Sequence, residues 1–221
     1  MKNALHRVQI DSGFLAYWTL ANAFGFAVGE LVVVPFGGMV YVFGSLVLKN
    51  SAIKSVSETL AQALAVAPVG ICLGFSQWLA LRNRLKNAEW WLVATLIGWI
   101  LAGVILWEFG SIGLASDVGV IGFVGAPTEW VVAGAIMGVA AGLVQMLILP
   151  LQRYTKFLWP ILNGLGWAVG LALGILFVKD ADVFFGPIIG AAFSGIFTGI
   201  FLHLLFIGSD ENTGQFISTL H

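Results

Sequence analysis

The chain is short of charge. Only 10% of its 221 residues are Asp, Glu, Lys or Arg, against roughly 25% in an ordinary soluble domain. A soluble domain of this length needs far more charge to cover its surface. That shortage excludes a soluble globular protein and a disordered chain. Cysteine is nearly missing as well. The lone Cys72 excludes a disulfide framework, a Cys-based zinc site and a Cys-ligated iron–sulfur cluster. Positive charge is not in excess either. Ten Lys+Arg against eleven Asp+Glu leave a formal net charge of -1, so no basic field awaits nucleic acid. Walker, H-E-x-x-H and G-x-S-x-G sequences are missing, and Gly164-x-Gly166 sits in an apolar run with no strand before it. Nucleotide and nucleic acid are therefore not expected partners, and no metal or cofactor is expected.

What the chain does have is apolar length. Hydrophobic residues make up 59%, with 28 glycines and nine tryptophans. A helix crossing the hydrocarbon needs about 20 mainly apolar residues. Six segments qualify, near Phe14–Val34, Leu60–Leu81, Trp90–Trp107, Trp130–Leu151, Phe157–Val178 and Phe184–Ile207. None alternates with period two, so a strand reading fails. The fold class expected is an all-α integral membrane protein with six transmembrane helices. Seven cations (Lys2, Arg7, Arg82, Arg84, Lys86, Arg153, Lys156) fall on one side and three (Lys49, Lys54, Lys179) on the other. The positive-inside rule makes the first side, with both termini, cytoplasmic. Phe36–Leu48, after Pro35, and the glycine-rich Phe109–Ala126 are expected as re-entrant or interfacial pieces, or plain loops, on the opposite side.

Internal similarity divides the chain into three hairpins. Trp91, Gly98 and Trp99 recur 68 residues later as Trp159, Gly166 and Trp167, while Trp18, Gly25 and Phe26 fill the same places in the first span. Gly70, Gly74 and Gln77 recur as Gly138, Gly142 and Gln145; Gly195 and Gly199 begin the pattern again, but Leu202 stands where glutamine is due. Each unit starts and ends on the cytoplasmic side, so the repetition is parallel rather than inverted. The first unit is a helix plus an external segment (1–57) and a second helix (58–88). The second hairpin covers 89–156, the third 157–207, and 208–221 is a cytoplasmic tail. All form one membrane domain.

Small residues let helix backbones approach where lipid gives little hydrophobic drive. The packing glycines expected are Gly25, Gly29, Gly70, Gly74, Gly98, Gly138, Gly142, Gly166, Gly170, Gly195 and Gly199. The repeat also sets a polar layer of Asn22, Thr95, Asn163, Gln77 and Gln145 near the cytoplasmic side. Asn22, Thr95 and Asn163 lie four residues inside Trp18, Trp91 and Trp159, about 6 Å deeper. This layer either bonds helices together or lines a shallow cavity. The three tryptophans read as membrane-interface anchors. Two ionisable residues break the symmetry. Glu30 lies about 12 Å deeper than Asn22, where an unpaired charge costs several kcal/mol. His203 falls one residue past Leu202.

Catalysis is not expected. Ser194 and His203 are nine residues apart, about 180° round one helix, and no paired intramembrane carboxylates suit acid–base work. Gln77–Leu85 and Glu89–Trp99 resemble repeats of multi-pass bacterial membrane proteins, a likeness that implies no activity. It does imply a bacterial cytoplasmic membrane, or a comparable internal one. Three roles follow. The first is a non-enzymatic accessory, scaffold or assembly subunit, whose partners are the lipid bilayer and other membrane subunits. The second is a small-solute or ion transporter using the polar layer and Glu30. The third is a binder of pigment, quinone or lipid through His203 and the tryptophans.

Overall fold

The computed structural model describes residues 11–47, 59, 63–111, 127–151, 153–178 and 185–210. Its six main helices are α1 (Ser12–Val47), α2 (Ala67–Leu81), α3 (Glu89–Ser111), α4 (Pro127–Gln145), α5 (Leu158–Phe177) and α6 (Phe185–Asp210). One helical turn, Arg153–Lys156, precedes α5. Among the described residues there is no strand. Five stretches are long and apolar enough to cross a membrane: Ser12–Val33, Ala63–Leu81, Glu89–Glu108, Leu158–Phe177 and Phe185–Phe206. The sixth apolar helix, Glu129–Gln145, is shorter.

Three boundaries differ from the sequence expectation. The fourth span, expected to run to Leu151, stops being α-helical at Gln145. Leu147 and Ile148 then donate to Val144 and Gln145, three residues back, tightening the chain ahead of Pro150, which disfavours helix at the residue before it. The second difference is α1, which does not end at Pro35 but runs through it to Val47. Phe36–Val47 is thus helical and continuous with the first span, where a plain loop was one of the expectations. Proline removes one backbone donor, a loss that helices in apolar surroundings absorb more readily than a full break with its many orphaned groups. At 1.5 Å per residue α1 is about 54 Å long. Thirdly, α6 carries on through Gly208 to Asp210, the start of the expected tail. Phe109–Ser111 closes α3; residues 112–126 and 211–221 lie outside the described residues.

The helices form a closed ring. Each packs against its neighbours in sequence, and α6 packs back on α1. Glycine positions show why the helices can come so close. A Cβ on Gly25 or Gly29 would meet the α2 backbone at Leu73 or Val69, and one on Gly70 or Gly74 would meet α3 at Leu96 or Leu92. Gly98 abuts Ala141 of α4, and Gly138 and Gly142 abut Asn163 and Pro160 of α5. Gly166 and Gly170 face Thr198 and Ser194 of α6, and Gly195 and Gly199 face Thr19 and Trp18 of α1. Residue numbers fall on one helix as they rise on the next, so neighbours are antiparallel.

Two apolar clusters fill the ring. One gathers around Trp18, Trp91 and Trp159, the other around Phe26, Trp99 and Trp167. In the second, three rings form a triangle with centroid separations of 5.9, 5.8 and 5.7 Å. Each such pair adds roughly 0.5–1.5 kcal/mol beyond area burial. The outer surface is apolar too, with Leu20, Phe24, Ile97, Leu143 and Leu165 all exposed.

The beginning of α1 is tied to the α2–α3 turn. Asp11 Oδ1 accepts the Phe14 N–H at 3.0 Å, a helix cap. Arg84 donates to Asp11 Oδ2 and lies 4.6 Å over the Phe14 ring. The Phe14 N–H, then Arg84, hold the Asp11 carboxyl below its usual range. Asp11→Ala is expected to cost about 1 kcal/mol, nearly all from the cap, because the pair is exposed and screened. A depressed carboxyl stabilises the fold fully above the unfolded value near 3.9, and that support fades as pH falls through the lowered folded value. Thermal midpoints of wild type and variant should therefore differ at neutral pH and converge in strong acid.

Candidate functional site

The polar layer lies between the two aromatic clusters. On α1, Trp18, Asn22 and Phe26 are spaced four residues apart, about 6 Å of rise each. Asn22, Gln77, Thr95, Gln145 and Asn163 are all buried. All but Asn163 are joined by a run of hydrogen bonds. Trp159 Nε1 donates to Gln145 Oε1 at 3.0 Å, and Gln145 Nε2 donates to Thr95 Oγ1 at 2.9 Å. Thr95 Oγ1 lies 3.3 Å from Gln77 Oε1 and 2.8 Å from the Trp91 carbonyl oxygen, so its one proton serves one of them. Trp91 Nε1 donates to Gln77 Oε1 at 2.9 Å, and Gln77 Nε2 to Asn22 Oδ1 at 2.9 Å. Asn22 Nδ2 then donates to the Trp18 carbonyl at 2.8 Å, and Trp18 Nε1 to Thr198 Oγ1 at 3.0 Å. The run passes through all six helices.

Asn163 is placed differently from Asn22. Its Nδ2 donates to the Gly138 carbonyl on α4 at 2.7 Å. Leu202 accounts for the difference between the units. It occupies the glutamine place on α6, fully buried, and offers no amide to Asn163 or to Trp18. Trp18 turns instead to Thr198, one helical turn earlier. Thr198 in turn donates to the Ser194 carbonyl at 2.7 Å, and Ser194 to that of Gly190 at 2.8 Å. A prediction follows. Leu202→Gln should cost less than about 1 kcal/mol, because the amide takes the place that Gln77 and Gln145 hold in the other units and the Trp18 indole can exchange its Thr198 bond for the new one. Leu73→Gln, equally buried in the apolar cluster, should cost about 2–3 kcal/mol. Thermal unfolding of the two variants in one detergent compares them.

The motif tryptophans are not interface anchors. Trp18, Trp91 and Trp159 are 1%, 0% and 0% exposed. Their rings meet inside the bundle, with centroids 6.1 Å apart for Trp18–Trp91 and 6.0 Å for Trp91–Trp159. Each indole N–H has a buried acceptor, and that bond is what holds the ring inward. The boundary aromatics that do face outward are Tyr17, Trp90 and Phe157.

Sequence reasoning also missed Thr198 and the indole N–H groups as members of the layer. One signal was available: Gln77 to Trp91 and Gln145 to Trp159 are each fourteen residues apart. Glu30 stays apart from the layer, half-buried one turn beyond Phe26. His203 is half-buried on α6. Among the described residues, no group of three or more His, Cys, Asp or Glu is placed to hold a metal. Chemically, the layer supplies neutral donors and acceptors that are mostly spent on one another. The chain matches no protein-family description, no curated protein and no solved structure.

Proposed function

We propose that this chain is a six-span integral membrane protein built from three parallel-repeated hairpins, with both termini cytoplasmic. In it, α4 and the turn after it cross the bilayer like the other five. Its role in this reading is that of a non-enzymatic accessory or scaffold subunit of a membrane complex. One observation carries the choice over a transporter: the ring has side chains along its axis. The Trp18/Trp91/Trp159 cluster and the Phe26/Trp99/Trp167 triangle stand on either side of amides that bond to Asn22, Thr95 and a backbone carbonyl within the bundle. A solute path would need free polar groups along that axis. The apolar outer surface supports burial in lipid or against other membrane subunits.

Extraction from the native membrane under mild conditions, followed by native mass spectrometry, tests the role. Co-purifying subunits are expected. Recovery as a lone chain that drives solute flux in liposomes would overturn it in favour of transport. Topology is tested separately by labelling single cysteines placed in the Arg82–Lys86 and Arg153–Lys156 turns on a Cys72→Ser background. Both should react from the same face of the membrane.

A further inference from the structure

The two ends of the ring differ in charge. Every described Lys and Arg (Arg82, Arg84, Lys86, Arg153 and Lys156) lies at the end where α1 begins, accompanied by three carboxylates, Asp11, Glu89 and Asp210. The described residues of the other end include three carboxylates, Glu30, Glu108 and Glu129, and no cation. Within the basic end, the cations are not equivalent. Arg84 is committed to Asp11 and to the Phe14 ring. Arg82 and Lys86 flank it, both exposed, and neither is in a salt bridge with a described residue.

The turn between them is shaped by backbone bonds. Arg84 N–H donates to the Leu81 carbonyl at 2.8 Å, and Leu85 N–H to the same oxygen at 2.9 Å. Leu85 is buried and anchors the turn to the bundle. Asn87 has φ 62°, a left-handed conformation that asparagine tolerates, and it redirects the chain into α3. Trp90, in the first turn of α3, is 57% exposed. The turn therefore carries two exposed cations in no salt bridge with a described residue, and an exposed indole follows four residues after Lys86. Indoles favour the level of lipid headgroups, and cations there attract anionic lipid.

We propose that the α2–α3 turn is an anionic-phospholipid headgroup site, in which Arg82 and Lys86 hold the phosphate and Trp90 lies against the lipid below it. Arg84 does not take part directly; it fixes the turn against α1. Glu89 is the one carboxylate next to the site in sequence. Its place in the first turn of α3 answers the helix dipole, and the two cations outnumber it. The proposal rests on the reading of the chain as membrane-spanning.

Flotation of the full chain with liposomes, and lipid retention after extraction, test both ideas separately. Vesicles of phosphatidylcholine alone are compared with vesicles that also contain phosphatidylglycerol. Wild type should float with both and retain phosphatidylglycerol preferentially. Arg82→Gln with Lys86→Gln should float equally well but lose about fivefold of that preference per cation removed. Arg82→Lys, which keeps the charge, should retain the preference and serves as the control for folding. Equal preference in wild type and the double variant would overturn the site. So would displacement of the lipid by inorganic phosphate at matched ionic strength, since that marks a site for free anions. Failure to float with either vesicle would instead overturn the membrane reading on which the proposal stands.

Discussion

Gly98→Ala should destabilise the protein by about 3 kcal/mol, the upper end of what one added methyl does in a packed interior. A Cβ at that position would run into the Ala141 Cα and sit 2.9 Å from the Ala141 backbone nitrogen. These are backbone atoms of a neighbouring helix, so no side chain can swing aside. Helices α3 and α4 must separate, and the separation strains the Gln145–Thr95 bond that crosses the same seam. Gly186→Ala is the matched control. Among the described residues its Cβ would have one neighbour within 4 Å, the Gly174 carbonyl at 3.9 Å. There the alanine should be neutral or add up to about 1 kcal/mol through helix propensity. Thermal unfolding in detergent, followed by near-ultraviolet circular dichroism of the buried tryptophans, would separate the two variants. Similar midpoints would show that the helices do not approach each other as closely as the ring requires.

The second large effect is expected at Gln77. Its Oε1 accepts from Trp91 Nε1 and faces the Thr95 hydroxyl, while its Nε2 donates to Asn22. A single interhelical hydrogen bond in lipid contributes only about 0.6 kcal/mol on average. Gln77→Leu should nevertheless cost about 2–3 kcal/mol, because it leaves the fully buried Trp91 N–H with no acceptor. Trp91→Phe removes that stranded donor. The double variant should therefore be more stable than the sum of the single losses predicts, by about 1–2 kcal/mol. Additive losses in this cycle would mean that the indole and the amide are not coupled. The same cycle at Gln145 and Trp159, whose bond is 3.0 Å, should give a similar coupling.

Much of this arrangement was readable in the residues. The apolar runs locate the helices because continuous hydrophobicity of that length leaves few alternatives. The glycines and amides share a helix face because seven residues make nearly two whole turns. The same arithmetic places Trp18 about 20° from Gly25, and so on the inward face. The interface preference of tryptophan concealed that. Pro35 concealed the length of α1, since a proline marks a helix boundary in most surroundings but not in this one. Leu202 was recognisable as a departure from the glutamine pattern. Its consequence, the diversion of the Trp18 indole to Thr198, depends on which helix closes against α1, and no local pattern encodes that. Pairing of residues 180 positions apart is a property of the completed bundle.

That last pairing bears on biogenesis. Of the six helices α1 is synthesised before the others, yet α6, which covers one of its flanks, follows them all. At about 5–20 residues per second, the interval between Trp18 and Thr198 is on the order of ten to forty seconds. Throughout it, the Trp18 indole lacks Thr198, and the flank awaiting Gly195 and Gly199 is uncovered by α6. A factor that shelters this flank until α6 arrives would protect the chain when it is most vulnerable to mispairing.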